Sequence, residues 1–172
     1  AKIAAENRRR ALQELELRQE KWRNALTKLL REVRQTYKEI LSKANATGDV
    51  RLVNAHDVDE AGLELLVGFR GAEPQVLDAY TQSGGERPTS IMCFLLALQP
   101  HIRSPVRAID ALDIHMDPRN RELMFEQMFE LMRSGDTQYI VITPGQLGRV
   151  EGVTNIITVQ NVAGSSRVRV VS

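Results

Sequence analysis

Gln82-Ser83-Gly84-Gly85-Glu86-Arg87-Pro88 opens an apolar helical run that reaches about Gln99, and the reading of the whole chain turns on it. A Ser-Gly-Gly set directly before a helix offers a hydroxyl and backbone N–H groups at the helix's positive end, the combination that meets a phosphate. A glycine pair in that place is also a common plain turn. The meaning of the loop therefore rests on the segments either side of it.

Upstream, residues 1–44 contain no Gly or Pro, and Ala5, Leu12, Leu15, Trp22, Leu26, Leu29, Val33 and Ile40 fit one heptad frame, interrupted by Arg8, Gln19 and Thr36. Such a seam along one helix face needs a partner helix to leave water. At 1.5 Å per residue the helix spans on the order of 66 Å, too long for a body of this size to cover. The expectation is one strand of a coiled coil whose mate lies elsewhere, cut from something longer, with an ordinary long surface helix as the alternative. Asn45-Ala-Thr-Gly-Asp49 ends it. Val50–Asn54 and Leu63–Arg70 then read as an antiparallel strand pair around an acidic turn. In that turn His56, Asp57, Asp59 and Glu60 invite a metal reading, against which stands simple solvation of a loop.

Downstream, Ile91 to Leu98 is apolar on all sides, which implies a helix buried on most faces and ended by Pro100. Pro105 to Asp110 reads as a short strand delivering a carboxylate at its C-terminal end, where open α/β sheets place ligands. Asp117-Pro118 is a helix start, and the helix over about 119–133 carries a core-facing stripe of Leu123, Met124, Met128, Leu131 and Met132. Tyr139–Ile142, ending in Thr143-Pro144, completes a strand, helix, strand unit whose strands must be parallel. Val153–Gln160 and Arg167–Val171, joined by Asn-Val-Ala-Gly-Ser-Ser, predict a closing hairpin.

Composition bounds the rest. With 172 residues, 42% hydrophobic and 26% charged, the chain has room for one compact domain plus something extended. The net charge of +1 hides an asymmetry: residues 1–44 carry 12 Lys or Arg against 6 Asp or Glu, and the remainder 11 against 16. That is a basic arm beside an acidic body, either nucleic-acid-facing or simply a solvated helix face. The single cysteine, Cys93, excludes an internal disulfide. His56, His101 and His115 are scattered without ligand spacing, and the longest apolar run, eight residues, falls short of the roughly 20 that span a bilayer. No signal-peptide pattern is seen at the start, so a cytosolic or nuclear setting is expected.

Taken in order, QSGGER, a strand ending in Asp110, a short loop with Asp117, and YIVIT resemble the C-terminal head segment of an ABC-type ATPase of the structural maintenance of chromosomes (SMC) group. The resemblance covers nearly the whole chain. FLLALQ, MDPRNRE and the ITP ending look most like the SMC subunit of the DNA-repair type complex or an archaeal relative of it. The fold implied is α/β: the C-terminal lobe of an ABC-type P-loop ATPase head behind a long N-terminal coiled-coil helix, with residues 1–44 as the arm and 45–172 as the lobe.

The resemblance implies half of a composite machine. No GxxxxGK[ST] phosphate loop is present, so a separate N-terminal head lobe carrying the Walker A motif is the implied partner. Ser83, Gly84, Gly85 and Glu86 would bind ATP held on a second head. Asp110 matches the Walker B aspartate that holds Mg2+ through its water shell, and Asp117 the D-loop aspartate. Thr143 and Pro144 occupy the switch region, where proline lacks the histidine's donor. Ala111 stands at the position of the catalytic glutamate, and alanine can neither orient nor deprotonate water. The expectation is an engineered Glu→Ala change that traps ATP. A kleisin subunit near the C-terminal hairpin and DNA along Arg8, Arg9, Arg10, Lys28, Arg31 and Arg34 complete the implied partners, with no membrane. The setting would be the nucleoid in a prokaryote or the nuclear chromosome in a eukaryote. Two alternatives stand beside this: a structural or DNA-binding coiled-coil module with a relict ATP site, and an ABC transporter ATPase subunit, against which the coiled-coil arm argues.

Overall fold

The structure is a computed structural model that describes residues 2–78, 80, 82–110, 116–133, 137–144 and 155–171. It divides into two units, 1–142 and 143–172.

The gap-free N-terminal stretch forms one helix, α1 (Lys2–Lys43). Asn45 stops it by taking φ 54°, a left-handed conformation that asparagine tolerates. Its carbonyl accepts the Arg70 N–H at 3.1 Å, so the chain passes straight into β1 (Ala46–Val53). The segment that reads as a helix breaker is therefore also the start of a strand. β1 pairs antiparallel with β2 (Gly62–Phe69), in register from Ala46 opposite Phe69 to Val53 opposite Gly62. A tight turn through Arg70 (φ 55°) and Gly71 (φ 84°) leads toward β3 (Gln75–Val76), too short to be legible from its residues, which adds to the edge of β2.

The heptad seam is shared out unequally. Leu30, Val33, Tyr37, Ile40 and Leu41 are buried against the body, while Leu12 and Leu15 are exposed. A distant partner for the whole seam is thus not needed: its last turns pack on β1 and on α2 (Glu86–Leu98). Charge reinforces this join. Arg34 donates from Nε and Nη2 to the two Asp49 carboxylate oxygens, each at 2.6 Å, and Lys38 lies 3.5 Å away. The Arg34 hydrogen bonds hold the Asp49 carboxyl down at about 2, well below the usual carboxylate range. At the end of α1, Lys43 donates to Gln127 at 2.7 Å and to Glu130 at 3.0 Å, both on α3 (Pro118–Arg133).

The core runs from α1 through β1 and β2 to α2 and α3, with Val50, Val67, Cys93, Leu96, Ala97, Met124 and Met128 buried in it. Burial pushes the Cys93 thiol up to about 12, which fits a small core residue. The Met stripe of α3 is divided: Met124 and Met128 are buried with Gln127, and Leu123, Leu131 and Met132 are half-buried around them. α2 is covered on most faces, as its run suggests, apart from one strip through Arg87, Ile91 and Leu95. Ile91 and Leu95, one turn apart on that strip, are 38% and 43% exposed.

After α2 a 3-10 turn (Gln99–His101) contains Pro100 and leads to β4 (Val106–Asp110). β4 pairs parallel with β5 (Gln138–Ile142), Val106 opposite Gln138 through Asp110 opposite Ile142, across the α3 crossover. Arg107, an odd residue for a strand, is braced here. It donates to the Tyr139 hydroxyl and to the Ile102 carbonyl, each at 2.6 Å, with its guanidinium 5.4 Å from the Tyr139 ring centre.

The second unit is an antiparallel hairpin, β6 (Ile156–Val162) and β7 (Ser165–Val171). Ala163 (φ 50°) and Gly164 (φ 82°) form its two-residue turn, whose positive φ values match strand twist. Asn161 accepts the Gly164 N–H at 3.0 Å. Cross-strand pairing puts Ile157, Val159, Val168 and Val170 on one exposed face, and Thr158, Gln160, Arg167 and Arg169 on the other.

Candidate nucleotide half-site

The Ser83-Gly84-Gly85 loop lies at the N-terminus of α2, with Ser83 and Gly84 exposed. Ser83 and Glu86 cap each other. The Ser83 N–H donates to Glu86 Oε2 at 3.0 Å, and the Glu86 N–H reaches Ser83 Oγ at 3.4 Å and the Ser83 carbonyl at 3.1 Å. These are the two reciprocal bonds of a Ser-x-x-Glu capping box, made across the turn that leads into α2, whose own N-cap position, Gly85, has no side-chain cap. The Glu86 carboxylate, which the family resemblance places at the nucleotide, bonds the Ser83 N–H in this structure. The next hydroxyls, Thr89 and Ser90, are fully buried and donate back to the Gly85 and Glu86 carbonyls, each at 2.8 Å. They hold the first turn without offering anything outward. The Gly84 and Gly85 N–H groups have no acceptor among the described residues. A Cβ built on Gly84 meets nothing within 4 Å, so no neighbour in the chain demands glycine there.

Asp110 closes β4 with its side chain exposed, and among the described residues its carboxylate has no hydrogen-bond or ion-pair partner. Its register partner Ile142 is followed at once by Thr143 and Pro144, so the carboxyl ends of the two parallel strands coincide. Asp117 caps α3. Its Oδ1 accepts the Asn120 N–H at 3.0 Å and its Oδ2 the Asn120 side-chain amide at 2.7 Å, with Pro118 in the first helical position. Ala111, the position of the expected catalytic glutamate, lies outside the described residues.

Two of the basic residues expected to face DNA are engaged by carboxylates. Arg34 is held by Asp49, and Arg10 pairs with Glu6 at 2.8 Å. Arg8, Arg9, Lys28 and Arg31 are exposed on α1. The Arg34–Asp49 pair joins residues 15 apart across a helix and a strand, and no local pattern announces it. Among the described residues no group of three or more His, Cys, Asp or Glu converges as a metal site, and residues 56–60 of the acidic turn are exposed. No described helix is long and apolar enough to cross a membrane.

No protein-family model matches the chain. Among curated proteins it is similar to structural maintenance of chromosomes protein 5 of Arabidopsis thaliana, 30% identical over 165 residues, 91% of this chain but 16% of the relative. Among solved structures it is similar to an SMC head bound to the C-winged helix domain of ScpA, with TM-score 0.72 and 25% identity over 87% of this chain and 45% of that one. An SMC head domain with coiled coil and joint from Pyrococcus yayanosii shares the fold, with TM-score 0.77 at 24% identity over 94% of this chain and 31% of that one. The arm, the strand pair before the Ser-Gly-Gly loop and the parallel unit ending in Asp110 agree with these likenesses, and the chain belongs to the structural maintenance of chromosomes family as a C-terminal lobe of its ATPase head.

Proposed function

We propose that this chain supplies one half of a composite ATP site, closed when two heads sandwich the nucleotide, and that this engagement drives chromosome organisation or DNA repair. The observation that carries the reading is an unfinished sheet. Parallel strands occur almost only with both faces covered, yet among the described residues β4 and β5 stand as a pair with Val106, Ile140 and Ile142 47%, 48% and 55% exposed on one face. Ile91 and Leu95 on α2 add a second bare apolar strip. A missing lobe bearing the Walker A loop would complete both. On this reading residues 1–44 are an arm and 45–172 a lobe, even though the end of α1 shares the lobe's core.

The residues suit the nucleotide. The Ser83 hydroxyl and the two unengaged N–H groups of Gly84 and Gly85 are donors at the positive end of α2, suited to the γ-phosphate of ATP on the opposite head. The unpaired Asp110 carboxylate, a hard oxygen donor, would hold Mg2+ through water. Mg2+ would supply charge neutralisation at the phosphates. Asp117, fixed by Asn120, would present the loop before α3 to the second head. Thr143 would stand in for the donor that Pro144 lacks. Alanine at 111 cannot serve as general base, so the assembled site would bind ATP and hydrolyse it poorly; removal of such a base costs about 10²- to 10⁴-fold. A kleisin-type subunit on the C-terminal hairpin and DNA on Arg8, Arg9, Lys28 and Arg31 fit the same reading, in a nucleoid or nuclear setting.

The test is light scattering of this chain assembled with an N-terminal head lobe, with and without ATP. The dimer should form only with nucleotide and be lost in Ser83→Arg, whose bulk fills the phosphate position. Dimerisation unchanged by that substitution would instead leave a structural or DNA-binding module with a relict site.

A further inference from the structure

We infer that Glu86 is a positioning residue that sorts the donors of the Ser-Gly-Gly loop and does not touch the nucleotide; this rests on the half-site reading above. Four groups near the start of α2 can donate to an anion: the Ser83 N–H, the Ser83 hydroxyl, and the Gly84 and Gly85 N–H groups. Glu86 takes the first, with Oε2 at 3.0 Å. Its own N–H points at Ser83 Oγ, so that oxygen serves as an acceptor toward the helix and its proton is left to donate outward. The glycine N–H groups keep no internal acceptor among the described residues, and open space lies before Gly84. The box thus divides the loop into one internally satisfied donor and three outward ones.

Charge supports the division. A free carboxylate beside an incoming γ-phosphate would repel it, whereas a carboxylate locked on Ser83 N–H spends its charge on the helix N-terminus. Holding the loop before nucleotide arrives also removes ordering cost from the engagement step. Glutamine can close the same box through its amide oxygen, so the role belongs to hydrogen-bond geometry and not to net charge.

Two readouts test this with Glu86→Gln and Glu86→Ala. In this chain alone, hydrogen exchange at the Ser83 amide should accelerate in Glu86→Ala and stay near the parent rate in Glu86→Gln. In the assembly with an N-terminal head lobe, Glu86→Ala should raise the ATP concentration for half-maximal dimerisation by roughly threefold to tenfold, the range of a lost cap. Glu86→Gln should stay within about twofold, since the capping box accepts either residue. Equal defects in both variants would mean the charge itself contacts the ligand, and no defect in Glu86→Ala would mean the box is idle; either overturns the inference. Ser83→Arg separates the two levels. If it too leaves engagement unchanged, the half-site reading fails, whereas a Ser83→Arg defect with a normal Glu86→Ala sinks only the positioning role.

Discussion

Replacing Tyr37 by phenylalanine should stabilise the protein. Tyr37 is fully buried where α1 meets α2, its ring edge-on to Phe94 with centroids 6.2 Å apart. Its hydroxyl has no hydrogen-bond partner among the described residues, and burial pushes the phenol's ionisation upward, with the neighbouring Cys93 adding to the shift. A desolvated, unpaired hydroxyl costs about 1–3 kcal/mol relative to one left in water. Phenylalanine keeps the ring, the edge-on contact and nearly all the volume while removing that cost. Allowing for incomplete relaxation of the site, the gain is about 1 kcal/mol, or a rise of about 2–4 °C in Tm for a chain of this size. Urea unfolding should show a higher midpoint with unchanged slope. Tyr37→Ala is the opposite control, since losing the ring from this core should cost about 3–5 kcal/mol. A Tyr37→Phe variant destabilised by 1 kcal/mol or more, an order-of-magnitude mark for a net hydrogen bond, would refute the reasoning by showing that the hydroxyl is satisfied.

Three further perturbations probe the join between helix and lobe and the loop itself. Asp49 ionises at about 2 in the folded chain, below the ordinary 3.8, so its contribution is full above the ordinary value and is lost as pH falls toward 2. Asp49→Asn should therefore cost about 0.5–1 kcal/mol near pH 7, a figure already reduced for the solvent around Arg34, and progressively less as pH falls through about 2; a penalty constant across that range in acid titrations of stability would contradict the pairing. Gly48→Ala would place a Cβ 2.3 Å from the Leu66 carbonyl oxygen and 2.6 Å from Leu41 Cδ1, and should cost about 1–3 kcal/mol as an overpacked site. Gly84→Ala, facing open space, should change stability by under about 0.5 kcal/mol yet weaken ATP-dependent dimerisation; equal melting losses in the two variants would contradict that contrast.

Much of the fold follows from local pattern, because the patterns involved are long or punctuated. Forty residues without Gly or Pro can hardly be other than one helix, and Asp117-Pro118 states a helix start that the structure places at Pro118. β4, α3 and β5 follow from hydrophobic runs at crossover spacing. What escaped is what depends on neighbours. The heptad seam does not say where coiled coil gives way to core, because Val33 and Ile40 bear the same pattern as Leu12 and differ only in what lies against them. The apolar run Ile91–Leu98 does not say which strip of its helix stays open, and Ile91 and Leu95 are the bare positions. Arg107 is accounted for only by the β4–β5 register, which puts Tyr139 beside it. Among the site residues the Asp117 cap is read directly from the sequence, the Ser83–Glu86 box is local but goes unread there, and the role of Arg34 is set by a carboxylate on another element.

The central claim, that Ser83-Gly84-Gly85 is half of a site and not a whole one, is tested most directly by titrating ATP with Mg2+ into this chain alone and into its assembly with an N-terminal head lobe. The isolated chain should show no saturable binding, and the assembly should bind and dimerise. Tight binding of ATP to the isolated chain would contradict it.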